Sequence, residues 1–493
     1  MALSLIAGFM GVGLVACSPS ADELPSPPSL PEPTSIPSTT VSSTSTTMPE
    51  EVDDVILLAL GDDFASIVDA APEGSEFIIG PGVHRLQEIE PRDGMTFEGR
   101  PGAVMNGAIE LDSWTEDGPG VWRFDGISKT AFEHGECISG YEGCRLSQDV
   151  YMDDVMLWQV TARGDLGPGS WFWDGDRILV ADDPTSRRVE LSLATHAFFG
   201  EASDITIRDL VIEKYAVPAQ FGAIQSERRG GGPHGRGWLV EDVELRLNHG
   251  AGVRMGDDTV LRRLFVHHNG QLGIAASGGD GGLVEDSEIA SNNLAGFRWG
   301  WEAGGAKFKE TTGLVVRRNV VRDNNGPGLW TDIDNDDTLY EDNVVTGNVG
   351  PGIFHEISYS AVIRNNTVRG NGHDSGVWLW GAGILVAASS DTEVHGNIVE
   401  GNANGITLIQ QDRGSGSLGP RIVRNVTVRD NVVSGGKSGA VQDIGDNSIF
   451  SANNTFLGNS YSDVEGWAWD NSVRLGWSAW QGKGNDTSGS YSR

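Results

Sequence analysis

Residues 315–356 read VVRRNVVRDNNGPGLWTDIDNDDTLYEDNVVTGNVGPGIFHE, two passes through one pattern. Each pass runs a short β-branched stretch, a charged turn, a second short stretch, an asparagine, a glycine and a third apolar strand. Asn319 returns as Asn343, Asn324 as Asn348 and Gly328 as Gly352. Outward from this segment the asparagine column continues as Asn248, Asn269, Asn292, Asn324, Asn348, Asn371 and Asn402, at steps of 21, 23, 32, 24, 23 and 31. A second column runs through Asn319, Asn343, Asn366, Asn397, Asn431 and Asn454. Gly252, Gly273, Gly296, Gly328 and Gly352 each follow the first column by four residues.

A unit of about 23 residues holding three short strands is one turn of a coil, in which each strand stacks on its equivalent about 4.8 Å away. The residues after the glycines, Val253, Ile274, Phe297, Leu329, Ile353, Ile384 and Ile406, then form an interior apolar column. Asparagine at the turns tolerates left-handed backbone and bonds along the stack, and glycine allows positive φ. On these residues the chain resembles the right-handed parallel β-helix proteins of the pectate-lyase-like superfamily, over about residues 60–456 and most strongly over 203–456. The resemblance implies an all-β solenoid. It assigns no catalytic residue, because the Gly-His-Gly and Arg-Ile-Lys of polygalacturonases and the Arg-x-Pro-x-x-Arg of pectate lyases are missing. Of the mannuronan epimerases' Asp-Pro-His and following acid, Phe354-His355-Glu356 keeps only the last pair.

The ends divide the chain further. Residues 1–16 are apolar and too short to span a bilayer, which reads as an export signal. Leu14-Val15-Ala16-Cys17 resembles the lipobox of bacterial lipoproteins, implying lipid modification at Cys17. Residues 17–50 form a tether: from Ser18 to Glu50, 23 of 33 residues are Pro, Ser or Thr, too few apolar groups to offset ordering entropy. Residues 51–110 supply an N-terminal cap and the first coils. The period breaks over 111–200, where Trp171–Val180 reads as strand, Asp-Gly turn and strand, so an inserted antiparallel β subdomain is expected there. The main coils occupy 201–456, and 457–493, rich in tryptophan, would cap the open end. In an oxidising compartment Cys137 and Cys144 are expected to pair.

Thirty-five basic against 69 acidic residues give a charge of −34, of which the tether carries only four acids. The folded body is therefore strongly acidic, which excludes nucleic acid as a partner and argues against an unassisted uronate polymer.

Strand side chains alternate, so in the strand after each glycine the second and fourth positions face out. The second positions are Arg254, Ala275, Arg298, Trp330, Phe354, Leu385 and Thr407; the fourth include Gly300, Asp332 and Glu356. Asp332 and Glu356 thus stack on adjacent coils beside Arg298, Trp330 and Phe354. Carboxylates about 5 Å apart repel, so one holds its proton near neutrality while the other ionises. That is the division glycoside cleavage needs, and such a spacing indicates retention of configuration. Trp330 and Phe354 would stack on sugar rings, whereas the plainer reading is acidic decoration of a solvated face.

Further candidates surround the pair. Trp301–Lys307 makes up most of a nine-residue coil enlargement, and its Glu302 and Lys307 would overhang the groove as catalytic candidates. The stretch from Gln410 to Pro420 would wall the other side, with Arg413 as a substrate ligand. Trp378 and Trp380, in the eight-residue enlargement before Gly383, offer another stacking surface. His355 occupies an inward position, which suits a core histidine, or a general base if the strand twists outward. Asp334 and Asp336 are candidate cation ligands, although the places of an EF-hand's glycine and bidentate glutamate are Asp337 and Asn343.

Three functions fit. The first is an exported glycosidase acting on a neutral or weakly charged polysaccharide through Asp332 and Glu356. The second is a uronate lyase or C5-epimerase using Lys307, His355 or Arg298 as base. The third is a non-catalytic glycan-binding surface protein. The expected partners are a polysaccharide and, through the lipid anchor alone, a membrane. The expected state is an exported, lipid-anchored monomer at the cell surface or on the periplasmic side of the membrane. No cofactor is expected to be required, and Ca2+ binding stays open as an alternative.

Overall fold

The computed structural model describes residues 55–375, 378–443, 447–470 and 472–493. The expected signal, Cys17 and the tether lie outside these residues. Among the described residues the chain winds into a parallel β-helix of three long sheets: a first of thirteen strands that begins with Ile56–Leu58, a second of thirteen that begins with Gly82–Arg85, and a third of twelve that carries Leu329–Asp332 and Ile353–Glu356. Strands stack in register, as in Val316 on Tyr340, Val321 on Val345 and Leu329 on Ile353. Inward side chains such as Ile274, Leu329, Ile353, Ile384 and Ile406 fill a continuous buried core. The helix Phe64–Ala70, capped by the Asp63 carboxylate on the Ser66 N–H, covers the first coil with Phe64 and Val68.

The asparagines hydrogen-bond along the stack. Asn324 donates through Nδ2 to Asn348 Oδ1 at 2.9 Å, and Asn348 to Asn371 at 2.9 Å. In the second column Asn431 passes to Asn459, not Asn454, and Asn459 to Asp486. Asn454 stands at a different corner, before Thr455–Leu457 of the first sheet. The left-handed position falls on the residue before the ladder asparagine: Leu247, Arg318, Asp323 and Asp342 all have φ between 54 and 56°. The column glycines answer a different need. A Cβ on Gly328 would lie 2.7 Å from the Gly352 carbonyl oxygen and 2.9 Å from Asn348 Nδ2, so only glycine lets successive coils approach.

One coil departs from the expected register. After Asn292 the strand of the third sheet is Gly304–Lys309, with Ala306 on Ile274 and Leu329 on Ala306. Gly305 takes the column position assigned to Gly296: it lies under Gly328 and Asn324 as Gly328 lies under Gly352 and Asn348. Gly296 instead turns at φ 81°, and Phe297 leaves the coil core for a cluster with Cys144, Tyr151 and Ala303.

Residues 108–192 contribute an eight-stranded, mostly antiparallel sheet with its own core of Val150, Leu157, Trp171, Ile178 and Leu191. Cys137 and Cys144 are joined by a disulfide. At the far end Trp467, Trp469 and Trp480 close the core. There Asp486 ends the ladder, accepting from Asn459 Nδ2, the Tyr461 hydroxyl and Trp480 Nε1, each at 2.9 Å.

Candidate active site

The site lies on the outer face of the third sheet, where the coil register brings two rows of side chains together. Lys307, Trp330 and Phe354 form one row, and Lys309, Asp332 and Glu356 the next. Because Ala306, Leu329 and Ile353 point into the core, alternation turns both rows outward.

Asp332 and Glu356 are direct register partners on neighbouring parallel strands, which places their backbones about 4.8 Å apart. Their surroundings differ. Lys307 Nζ lies 2.8 Å from Asp332 Oδ2 and 3.0 Å from Glu302 Oε1, and 4.0 Å above the Trp330 ring. Asp332 Oδ1 is buried and finds no partner among the described residues. Glu356 Oε1 meets Arg413 at 2.5 Å. Burial, and secondarily the charge of Asp332, push the Glu356 carboxyl up to about 7, with Arg413 and Lys307 pulling against them.

Glu302 ends the short helical turn Trp299–Glu302. Its Oε2 accepts from Gln220 Nε2 at 2.7 Å, and its backbone carbonyl from Gln271 Nε2 at 2.6 Å. Arg413 rides on a loop pinned through Arg421 Nη2 to Asp334 at 2.9 Å, the Ser417 N–H to Asp334 at 3.0 Å and the Tyr359 hydroxyl to the Gly419 carbonyl at 2.9 Å. Beside the lysine lies a recess of about 480 Å3, counting the solvent at its mouth, lined by Gln220, Arg254, Ser277, Glu302, Lys307 and Lys309.

Several expected roles do not survive this geometry. His355 is fully buried, with Nε2 donating to the Tyr359 carbonyl at 2.7 Å and Nδ1 accepting from the Thr331 hydroxyl at 2.8 Å. Burial pushes it down to about 4, so it is a neutral core residue and no base. Trp330 and Phe354 do face outward, but they stack on each other with centroids 5.4 Å apart. Leu379, Trp378 and Trp380 pack over them, leaving 3% and 2% exposed, so neither ring face is open to a sugar. Trp380, half-buried at the rim, keeps an accessible surface.

Arg298 is carried off by the register change and pairs with Glu136 of the inserted segment. Asp334 is committed to Arg421 and Ser417, and Asp336 to the Ser360 N–H and hydroxyl, so the two do not converge on a cation. Lys309 is in register with Asp332, a place the sequence hides because Gly296 offers a competing start for its strand. Gln220 carries no motif that would single it out.

The family model for the right handed beta helix region matches residues 232–384. Among solved structures, XylC in complex with xylose shares the fold with a TM-score of 0.64 at 14% identity, over 84% of this chain and 82% of that one. The A-module of Azotobacter vinelandii mannuronan C-5 epimerase AlgE6 gives 0.45 at 15%, over 87% and 92%. The catalytic unit of a GH87 alpha-1,3-glucanase from Streptomyces thermodiastaticus gives 0.44 at 11%, over 90% and 68%. No curated protein matches the sequence. The chain folds as a right-handed parallel β-helix.

Proposed function

We propose that the protein is a retaining glycoside hydrolase in which Asp332 is the nucleophile and Glu356 the general acid and base. The observation that carries this reading is the asymmetry of one register pair. Asp332 is ion-paired to Lys307 with one oxygen left unpartnered, while Glu356 across from it is held up near 7. Register partners on neighbouring strands stand about 4.8 Å apart at the backbone, closer than the ~6.5–9.5 Å at which an inverting pair seats a water between its base and the sugar, which favours a covalent intermediate.

In the first step the Asp332 carboxylate attacks the anomeric carbon as the glycosidic C–O bond breaks. Glu356 gives its proton to the departing oxygen. With Oε1 turned to Arg413, Oε2 is the oxygen left to carry that proton. In the second step the Glu356 carboxylate takes a proton from water, whose oxygen attacks the anomeric carbon and frees Asp332. Atoms balance: one water is consumed and both carboxyl groups return to their starting forms.

The double ion pair on Lys307 speaks against its use as the base of a lyase or epimerase. The Cys137–Cys144 disulfide supports export to an oxidising compartment, where a lipid on Cys17 would hold the body to the membrane surface. We favour a neutral or weakly charged polysaccharide, given the acidic body.

A glycan panel scored for new reducing ends tests the reading. Wild type should cleave one member with retention by NMR, and Asp332→Asn and Glu356→Gln should be inactive on it. Unsaturated uronate products, or unchanged turnover in both variants, would overturn it.

A further inference from the structure

The inserted subdomain reaches the proposed nucleophile through a continuous chain of polar contacts. His134 lies in the inserted segment, close to the disulfide. Its Nε2 is 3.0 Å from Gln220 Oε1; a carbonyl-type oxygen can only accept, so Nε2 carries the proton. Gln220 Nε2 donates to Glu302 Oε2 at 2.7 Å. Glu302 Oε1 meets Lys307 Nζ at 3.0 Å, and that ammonium lies 2.8 Å from Asp332 Oδ2.

Gln220 is engaged at every polar atom. Its backbone N–H donates to Gln271 Oε1 at 2.6 Å, and its carbonyl accepts from Arg254 Nη1 at 2.9 Å. Gln271 turns back to the Glu302 carbonyl at 2.6 Å. Gln220 also stands at φ 72°, a left-handed conformation in which glycine would cost less, so its side chain is kept there against local preference.

The other end of the chain is equally fixed. Beside the disulfide, the Ile138 N–H donates to the Gly296 carbonyl at 2.9 Å and the Arg298 N–H to the Glu136 carbonyl at 2.8 Å. Phe297 packs with Cys144 and Tyr151. The inserted segment is thereby docked onto the coil enlargement that ends in Glu302.

We propose that Gln220, held by His134 of the inserted subdomain, is a positioning residue for the glycosidase reaction. It fixes Glu302, Glu302 fixes Lys307, and Lys307 holds Oδ2 of Asp332 and with it the orientation of that carboxylate. Lys307 has two acids competing for it; were Glu302 free to swing, the ammonium could follow it away from Asp332. The proposal rests on Asp332 being the nucleophile, and it gives the inserted subdomain a part in the chemistry.

The test is Gln220→Met, similar in length but unable to hydrogen-bond, assayed on a glycan that wild type cleaves, alongside Gln220→Glu and His134→Ala. The expected result for Gln220→Met is a kcat at least tenfold lower with KM within twofold and an unchanged thermal midpoint. Gln220→Glu, which cannot donate to Glu302 when ionised, should fall further, and His134→Ala should lose about threefold. Wild-type kcat in Gln220→Met while Asp332→Asn is inactive would overturn the positioning role alone. Full turnover in Asp332→Asn would overturn the glycosidase reading instead. A raised KM at unchanged kcat would make Gln220 a substrate ligand and also defeat the proposal. Independently of any substrate, the Lys307 ammonium should give a slowly exchanging 15N NMR signal in wild type that broadens in Gln220→Met. An identical signal in both counts against the chain.

Discussion

Asp332 and Glu356 face each other across one inter-strand step, yet each is held by a different cation: Lys307 by 2.8 Å on Asp332 Oδ2, Arg413 by 2.5 Å on Glu356 Oε1. Lys307 is almost wholly buried and clamped by a second acid, whereas Arg413 is a third exposed on a loop. One partner is built into the sheet and the other sits on a surface loop, a difference that suits the nucleophile and the acid of the proposed reaction.

That difference predicts a pH profile. On the proposed reading Glu356 acts as the acid and must be protonated, so kcat should fall as pH rises through about 7. Arg413 favours the charged carboxylate, so Arg413→Met should move this alkaline limb to higher pH. The raised value also means that the folded protein holds this proton more tightly than the unfolded chain. The associated stability is present below the ordinary carboxyl value and lost as pH rises through about 7. Glu356→Gln should therefore gain thermal midpoint on wild type above pH 7 and not near pH 4. An alkaline limb that Arg413→Met leaves in place would assign it to another group.

Lys307→Met should remove activity and stability together. It strands Glu302 and Asp332 as buried or half-buried acids with no cation between them, a change that costs about 3–5 kcal/mol for a buried pair. Adding Glu302→Gln should return part of the stability without the turnover, because Asp332 still lacks its partner. Urea unfolding of the single and double variants checks the first half and glycan cleavage the second.

The coil was legible because its signal is repeated: a residue type that recurs at Asn324, Asn348 and Asn371 is forced by the stack, whatever the rest of the unit contains. Asp332 and Glu356 came with it, since period-two alternation from Leu329 and Ile353 fixes their direction. The failures arise where the repeat offers two solutions or where something outside it intervenes. Gly296 and Gly305 both follow Asn292, and only packing against the Gly328 carbonyl chooses the second. That choice moves Arg298 away and brings Lys307 and Lys309 into line. Alternation said that Trp330 and Phe354 point out of the coil, which they do. It could not say that the segment Trp378–Trp380 folds over them, because that contact lies between an enlargement and a neighbouring coil.

The covered aromatics make a prediction that separates packing from binding. Trp330→Ala opens a cavity beneath Leu379 and Phe354 and should destabilise the protein by about 3–5 kcal/mol, with loss of activity following from displacement of Lys307, whose ammonium rests on that ring. Trp380→Ala, at the half-buried rim, should cost less stability and raise KM for the polysaccharide with kcat largely kept. Chemical unfolding and steady-state kinetics on both variants decide; a Trp330→Ala protein as stable as wild type would mean that the ring is not packed as described.

The ladder carries the last prediction. The Asn348 side chain makes four buried hydrogen bonds: its Oδ1 accepts from the Asn324 N–H at 3.1 Å and Asn324 Nδ2 at 2.9 Å, and its Nδ2 donates to the Val321 carbonyl at 3.1 Å and Asn371 Oδ1 at 2.9 Å. Asn348→Ala leaves each of those partners short of one bond in a site closed to water, at about 1–3 kcal/mol for an unsatisfied buried group. Asn348→Asp keeps the two accepting contacts but loses the donor and buries a charge, so it should be the worse of the two. Asn348 lies on the coil that carries Glu356 and bonds to Asn324 on the coil that carries Asp332, so backbone amides of Leu329–Asp332 and Ile353–Glu356 should lose hydrogen-exchange protection before those of the inserted subdomain. Protection lost uniformly would show that the body unfolds as one unit and that the ladder's effect is not local.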